Sequence, residues 1–290
     1  MATGRRRSVC WLAIGVVCLA TGPAKGDEVD ASFGQVYLDR ESGPLKADVY
    51  APRGDGPFPG VLVVHGGAWR MGTRGQLAGV AQRLAKNGFV AVAISYRLAP
   101  VYKFPAQIDD CKGAVRWMRT NAERLKIDPD HIGGFGYSAG AHLVTLLGTT
   151  DAEDGLEGVD DPASVPSTRL QAVAAGGTPC DFRPLPEDIE GLAFWLGGSR
   201  AKVPEQYRLA SPASFVTADD PPMFFFHGEN DDLVPLVSPQ QMRDALTRVG
   251  VAADLYVVPR LGHIASCVDR GAIDRSIAFL GQHLKTKATP

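Results

Sequence analysis

Short runs of β-branched and apolar residues alternate along this chain with longer stretches whose apolar positions recur every three to four residues. Residues 61–64 (VLVV) form an uninterrupted apolar run, and 90–95, 132–136, 172–175, 223–226 and 254–258 are similar. Apolar runs this short, bounded by turn signals, predict strands buried on both faces. Between them, residues 76–87 place Leu77, Val80, Ala81 and Leu84 on one stripe and stop at Gly88, a C-terminal cap. Residues 106–122 place Ile108, Cys111, Val115 and Met118 on another. Strands alternating with amphipathic helices predict an α/β fold, a parallel sheet covered on both faces. Ahead of it, residues 35–38 and 45–50 flank Glu41-Ser42-Gly43-Pro44 and predict a hairpin. Two stretches fit neither period. Residues 151–169, rich in Asp, Gly and Pro, predict a surface excursion. Residues 181–212 mix Pro with Leu192, Phe194, Trp195 and Leu196 and predict a small cap of short helices or a loop packed on the fold.

One of the strand-to-helix junctions carries chemistry. Gly136-Tyr137-Ser138-Ala139-Gly140 follows one apolar run and precedes the helical AHLVTLL, so Ser138 sits on a sharp turn with its hydroxyl at the top of the sheet. Glycines flank it because any side chain there would collide with backbone. A serine hydroxyl is a weak nucleophile at neutral pH and needs a base, itself oriented by a carboxylate. Two later strand ends supply candidates: Asp231 or Asp232 after residues 223–226, and His263, behind Gly262, after residues 254–258. Spacing alone does not separate the two aspartates. His65-Gly66-Gly67-Ala68-Trp69 directly follows the run at 61–64, where a glycine-rich loop can present the Gly67 and Ala68 amides to an oxyanion, with the Ala139 amide as their partner. Trp69 and Tyr137 flank these elements and are candidate substrate-binding residues, though an aromatic beside a core strand is often core. His142, one turn beyond Ser138, and Asp110 read as structural, and Arg97 as an anchor for local loops.

Together with Tyr96-Arg97-Leu98-Ala99-Pro100, Phe104-Pro105-Ala106-Gln107, Ser211-Pro212 and the His227-Gly-x-x-Asp231-x-x-Val-Pro235 segment, these motifs resemble the α/β-hydrolase superfamily. Within it the chain is most similar to secreted esterases such as the bifunctional acetylxylan/feruloyl esterases. The resemblance covers residues 65–263. It implies an eight-stranded, mostly parallel sheet with a small cap or none. It also assigns the triad acid to Asp231, implies a serine esterase acting on short-chain or aromatic esters of carbohydrate, and requires no metal or organic cofactor. A peptidase of the prolyl-oligopeptidase type and a non-catalytic exported binding module are the alternatives. Thr178-Pro179-Cys180-Asp181 departs from the Gly-Pro-Thr-Asp common in the family.

Composition narrows the partners. The 290 residues are 45% hydrophobic, ample for a core, and carry 30 basic against 32 acidic side chains with no long basic block, which argues against a nucleic-acid partner. Arg5, Arg6 and Arg7 precede an uncharged apolar run at 9–20, shorter than a membrane span needs, and then Ala24 and Gly26. This pattern predicts a signal peptide over residues 1–26 and an exported protein without a stable membrane span, with an uncleaved signal anchor or a membrane-held N-terminus as the alternative. The spread of the candidate catalytic parts over three strand ends predicts a single catalytic domain over 27–290. Removing residues 1–26 leaves 26 basic against 32 acidic residues, a net charge of −6. That form carries Cys111, Cys180 and Cys267, none at metal-binding spacing. Cys111 lies on a buried stripe, and Cys180 and Cys267, both following strands, are expected to form a disulfide at the rim of the site.

Overall fold

The computed structural model describes residues 29–285, so the expected signal peptide lies outside the described residues. The apolar runs become strands because both of their faces are covered. The chain runs β1 (Val29–Arg40), β2 (Gly43–Pro52), β3 (Phe58–Val64), α1 (Ala78–Lys86), β4 (Val90–Ile94), α2 (Ala106–Thr120), α3 (Ala122–Leu125) and β5 (Ile127–Tyr137). It continues through α4 (Ala139–Thr149), β6 (Val173–Gly176), α5 (Ala193–Leu196), α6 (Pro204–Leu209), β7 (Met223–Gly228), α7 (Val237–Arg248), β8 (Ala253–Val258), α8 (His263–Ser266) and α9 (Arg270–Leu284). The eight strands form one sheet in the order β1-β2-β4-β3-β5-β6-β7-β8. The β1–β2 hairpin is antiparallel and joins β4 antiparallel; every later pairing is parallel. This is the α/β-hydrolase fold.

Alternate residues of each central strand feed two separate cores. Leu62 and Val64 of β3 join Val90, Val92 and Ile94 of β4 and Met223 and Phe225 of β7 beneath α2, α4 and α7. Val61 and Val63, Ala91 and Ala93, and Phe224 and Phe226 face the other way, under α1 and α9. That two-residue period, apolar on both sides, is why the runs read as continuous in sequence. Fully burying a Val, Leu or Phe contributes roughly 1.5–3 kcal/mol, so the two cores together dominate the favourable side of folding. Residues 254–258 are a correction: among the described residues β8 is an edge strand of the sheet, and of its residues only Val258 is buried. Gly88 follows α1 at φ +82°, and the amides of Gly88 and Phe89 close the helix end as expected.

The stretch at 151–169 is a surface excursion with one buried anchor. Glu157 receives Lys112 and Arg116 of α2 and the Thr168 hydroxyl, a cluster the local composition did not signal. The stretch at 181–212 forms two short helices, α5 and α6, lying across the α4 side of the molecule. Among the described residues, no helix is long and apolar enough to cross a membrane.

Candidate active site

Every candidate catalytic residue stands at the carboxyl end of a parallel strand, where the strand gives way to a loop or helix. Ser138 links β5 to α4 with φ +55° and ψ −121°, a conformation that costs a non-glycine residue about 1–3 kcal/mol. Its neighbours make the turn possible. A Cβ on Gly136 would lie 2.3 Å from the Gly140 carbonyl oxygen, and one on Gly140 would lie 2.0 Å from that of Val64. The motif glycines are therefore required by direct backbone contact, as the sequence implied.

The structure brings the three remote residues together. His263 Nε2 lies 2.8 Å from Ser138 Oγ, and its Nδ1 lies 2.6 Å from Asp231 Oδ2. A carboxylate only accepts, so Nδ1 carries the proton and Nε2 is left free to accept from the serine hydroxyl. The other oxygen of Asp231 accepts the Leu233 and Val234 amides at 3.0 and 2.8 Å. Asp231 is buried and Asp232 is exposed, which separates the two aspartates that spacing left open.

His227, at the end of β7, is a neighbour with no role expected from the sequence. Its Nε2 lies 2.8 Å from the Val234 carbonyl and 3.2 Å from Asp231 Oδ2. Burial holds its pKa below the usual histidine value, so it donates as a neutral imidazole to the turn that carries the acid. The His-Gly-x-x-Asp spacing was the signal that could have found it.

The glycine-rich loop after β3 runs through three consecutive residues of the left-handed region: Gly67 at φ +111°, Ala68 at +49° and Trp69 at +58°. Only the first is glycine. The loop closes tightly, with the Arg70 and Met71 amides both on the Gly67 carbonyl at 3.0 and 3.1 Å. The amides of Gly67, Ala68 and Ala139 donate to no other group among the described residues. Ala139 opens α4, whose N-terminal end favours developing negative charge.

Three expectations are corrected. Trp69 belongs to the core rather than to an open surface: it is 5% exposed and stacks flat on Trp195 with ring centres 3.7 Å apart. Tyr137 is also buried rather than substrate-facing. Its hydroxyl donates to the His263 carbonyl and meets Ser266 Oγ at 2.7 Å, because alternation along β5 sends it to the α9 face. Cys180 and Cys267 are unpaired. Cys180 belongs to the core under α4 and Cys267 packs against the core under α9, so the sheet stands between the two environments. Burial raises both thiols, to about 12 and about 11, which leaves them protonated at neutral pH.

The structural assignments hold. His142 accepts the Trp69 indole N–H at Nδ1, 3.2 Å away, and donates from Nε2 to the Ala210 carbonyl at 2.6 Å. Burial pushes its imidazole down to about 4. Asp110 is fully buried and accepts the Arg97 amide and guanidinium, and Arg97 reaches on to the Ala106 carbonyl.

Comparison with known proteins points the same way. The BD-FAE family model matches residues 47–246. The esterase LipC of Mycobacterium tuberculosis is 32% identical over 250 residues, which cover 80% of this chain and 60% of LipC. The carboxylic ester hydrolase LipM of the same organism, described as probable, is 32% identical over 69% of this chain and 48% of its own. The chain thus spans about half to three-fifths of these curated relatives. Among solved structures, a truncated carbohydrate esterase from gut microbiota superposes with a TM-score of 0.79 at 26% identity, covering 91% of this chain and 99% of that one.

Proposed function

Because the chain belongs to the BD-FAE family, we propose that it is a carboxylic ester hydrolase working through Ser138, His263 and Asp231. The observation that carries this is the single imidazole bridging a strained serine and a buried carboxylate at 2.8 and 2.6 Å. His263 Nε2 takes the hydroxyl proton as Ser138 Oγ attacks the ester carbonyl, and the tetrahedral oxyanion is received by the amides of Gly67, Ala68 and Ala139. The protonated imidazole, stabilised by Asp231, then gives its proton to the leaving alcohol. Water, activated by the same nitrogen, attacks the acyl-enzyme and restores the serine.

For substrate we propose short-chain or aromatic esters on carbohydrate. Two supports converge: the solved relative named a carbohydrate esterase aligns almost end to end, and the space behind the oxyanion loop is filled by Trp69, Phe182 and Trp195 rather than open to a long acyl chain. We further propose that residues 1–26 are a signal peptide and that the enzyme acts after export, on the charge and length pattern given above.

Replacing Ser138 by alanine tests the mechanism. Hydrolysis of p-nitrophenyl acetate should fall by roughly 10⁴-fold or more and labelling by a fluorophosphonate should vanish, with the melting temperature retained. Turnover that survives the substitution removes Ser138 from the mechanism. Comparing acetyl, feruloyl and long-chain esters on the wild type then tests the substrate class, and a preference for the long chains would overturn it.

A further inference from the structure

The left-handed run at Ala68 and Trp69 needs a restraint, because neither residue is glycine. The backbone supplies part of it through the Ala99 amide, which donates to the Trp69 carbonyl at 2.9 Å. The rest comes from outside the loop. The Trp69 ring lies parallel to Trp195, and its indole N–H ends on His142. Trp195 has no solvent exposure and is itself fixed twice, by its indole N–H to Gln107 Oε1 at 3.0 Å and by its carbonyl to the Phe104 amide at 3.0 Å. His142 passes the second contact on to the Ala210 carbonyl. Trp195 and Ala210 both belong to the segment at 181–212, so that segment grips the oxyanion loop by two independent routes through one side chain.

We propose that Trp195 and His142 are positioning residues for the reaction, holding the Gly67 and Ala68 amides aimed at the oxyanion by fixing Trp69. The proposal rests on the esterase mechanism above. Neither residue touches substrate: both are buried behind the loop. The segment at 181–212 then acts on the chemical step and not only on the shape of the entrance. The expected size of the effect follows from precedent: an oxyanion donor is worth about 10²–10³ in kcat, and a misplacement near 1 Å costs a comparable amount.

The test uses the full chain carrying Trp195→Leu, Trp195→Phe or Trp69→Phe, with p-nitrophenyl acetate as substrate and phenylboronic acid as a tetrahedral mimic. Trp195→Leu should lower kcat at least tenfold with KM within twofold, and should weaken phenylboronic acid by a similar factor. Trp195→Phe, which keeps an aromatic face, should recover most of both. Trp69→Phe keeps a ring but removes the N–H, and should cost several-fold in kcat even if the leucine variant does not fold. Variants that melt earlier yet keep wild-type kcat overturn the proposal and leave the esterase reading standing. A rise in KM with kcat unchanged overturns it too, since that is how a pocket wall behaves. A wild type with no turnover at all overturns both.

Discussion

The two faces of the sheet hold the two halves of the site by different means. On the α4 face, the glycine-rich loop after β3, which we propose as the oxyanion loop, is held by flat aromatic contact and by one neutral histidine, His142. On the α9 face, His263 is held at its own backbone, where the Tyr137 hydroxyl takes its carbonyl and meets Ser266. The difference follows from what each half needs. A loop with two strained non-glycine residues needs a broad surface that resists relaxation, which stacked rings provide through many small contacts. An imidazole that must face a serine on one side and a carboxylate on the other needs directional restraint, which hydrogen bonds provide. Ser138 belongs to neither side, since it stands on the strand end between them.

The largest effect is expected where the two supports meet. Gly140 packs its α-carbon against the Val64 and His65 carbonyls, leaving 2.0 and 2.5 Å for an added Cβ. Gly140→Ala should force α4 away from β3, moving the Ala139 amide, Ser138 and the oxyanion loop at once. Kinetics and thermal melting on that variant should show at least a 100-fold loss of ester turnover and a destabilisation of about 1–3 kcal/mol. Near-wild-type turnover would mean that the faces are not coupled through this contact.

A smaller effect isolates the α9 side. Tyr137→Phe removes one hydroxyl and little volume, and the Ser266 hydroxyl, 3.2 Å from the His263 carbonyl, remains as a partial substitute. Stability should fall by about 1 kcal/mol, lowering the melting temperature by roughly 2–4 °C, while kcat falls about tenfold as the His263 backbone loosens. If kcat is unchanged, the hydroxyl supports the fold but not the base.

Most of the architecture was legible because the cores lie on both sides of the strands, so the apolar runs mark them directly. The placement of Ser138, His263 and the glycine-rich loop after β3 at strand ends was legible because each needs glycine at a fixed place in a strand-to-loop junction. What could not be read was which way a side chain leaves its strand or loop. Trp69 and Tyr137 both flank the backbone of the candidate site and both turn into a core, one on each face. Cys180 and Cys267 follow strands β6 and β8 at the same end of the sheet, yet strand position says nothing about which core each thiol joins. The choice between Asp231 and Asp232 turned on the same ambiguity until the family pattern resolved it. Trp195 went unassigned because its partner, the Trp69 ring, lies 126 positions away and is a contact that spacing does not encode, whereas the contact of His227 with Asp231 Oδ2 was carried by the His-Gly-x-x-Asp spacing and went unread.

Acid should separate the two supports through stability alone, with no change in the architecture of the site. His142 is neutral in the folded protein down to about pH 4, whereas in the unfolded chain it takes a proton near its ordinary 6.5. The unfolded state therefore binds more protons between those values. The stability His142 confers is complete above pH 6.5 and is lost as pH falls toward 4, at about 1.4 kcal/mol per pH unit. At pH 7, His142→Gln should be the less stable protein, because it disturbs the contacts to Trp69 and Ala210. In urea titrations at pH 5 its deficit should have narrowed by about 2 kcal/mol. Tyr137 is raised above its ordinary value by burial and is neutral in both states throughout this window. The deficit of Tyr137→Phe should accordingly stay constant from pH 7 to pH 5. His65 and His227, also held below the usual histidine value by burial, are common to both variants and cancel in each difference. Two deficits that move together with pH would mean that the clamps unfold as one unit. A deficit that narrows only for His142→Gln would show that the grip on the oxyanion loop carries a proton-linked weakness that the grip on His263 lacks.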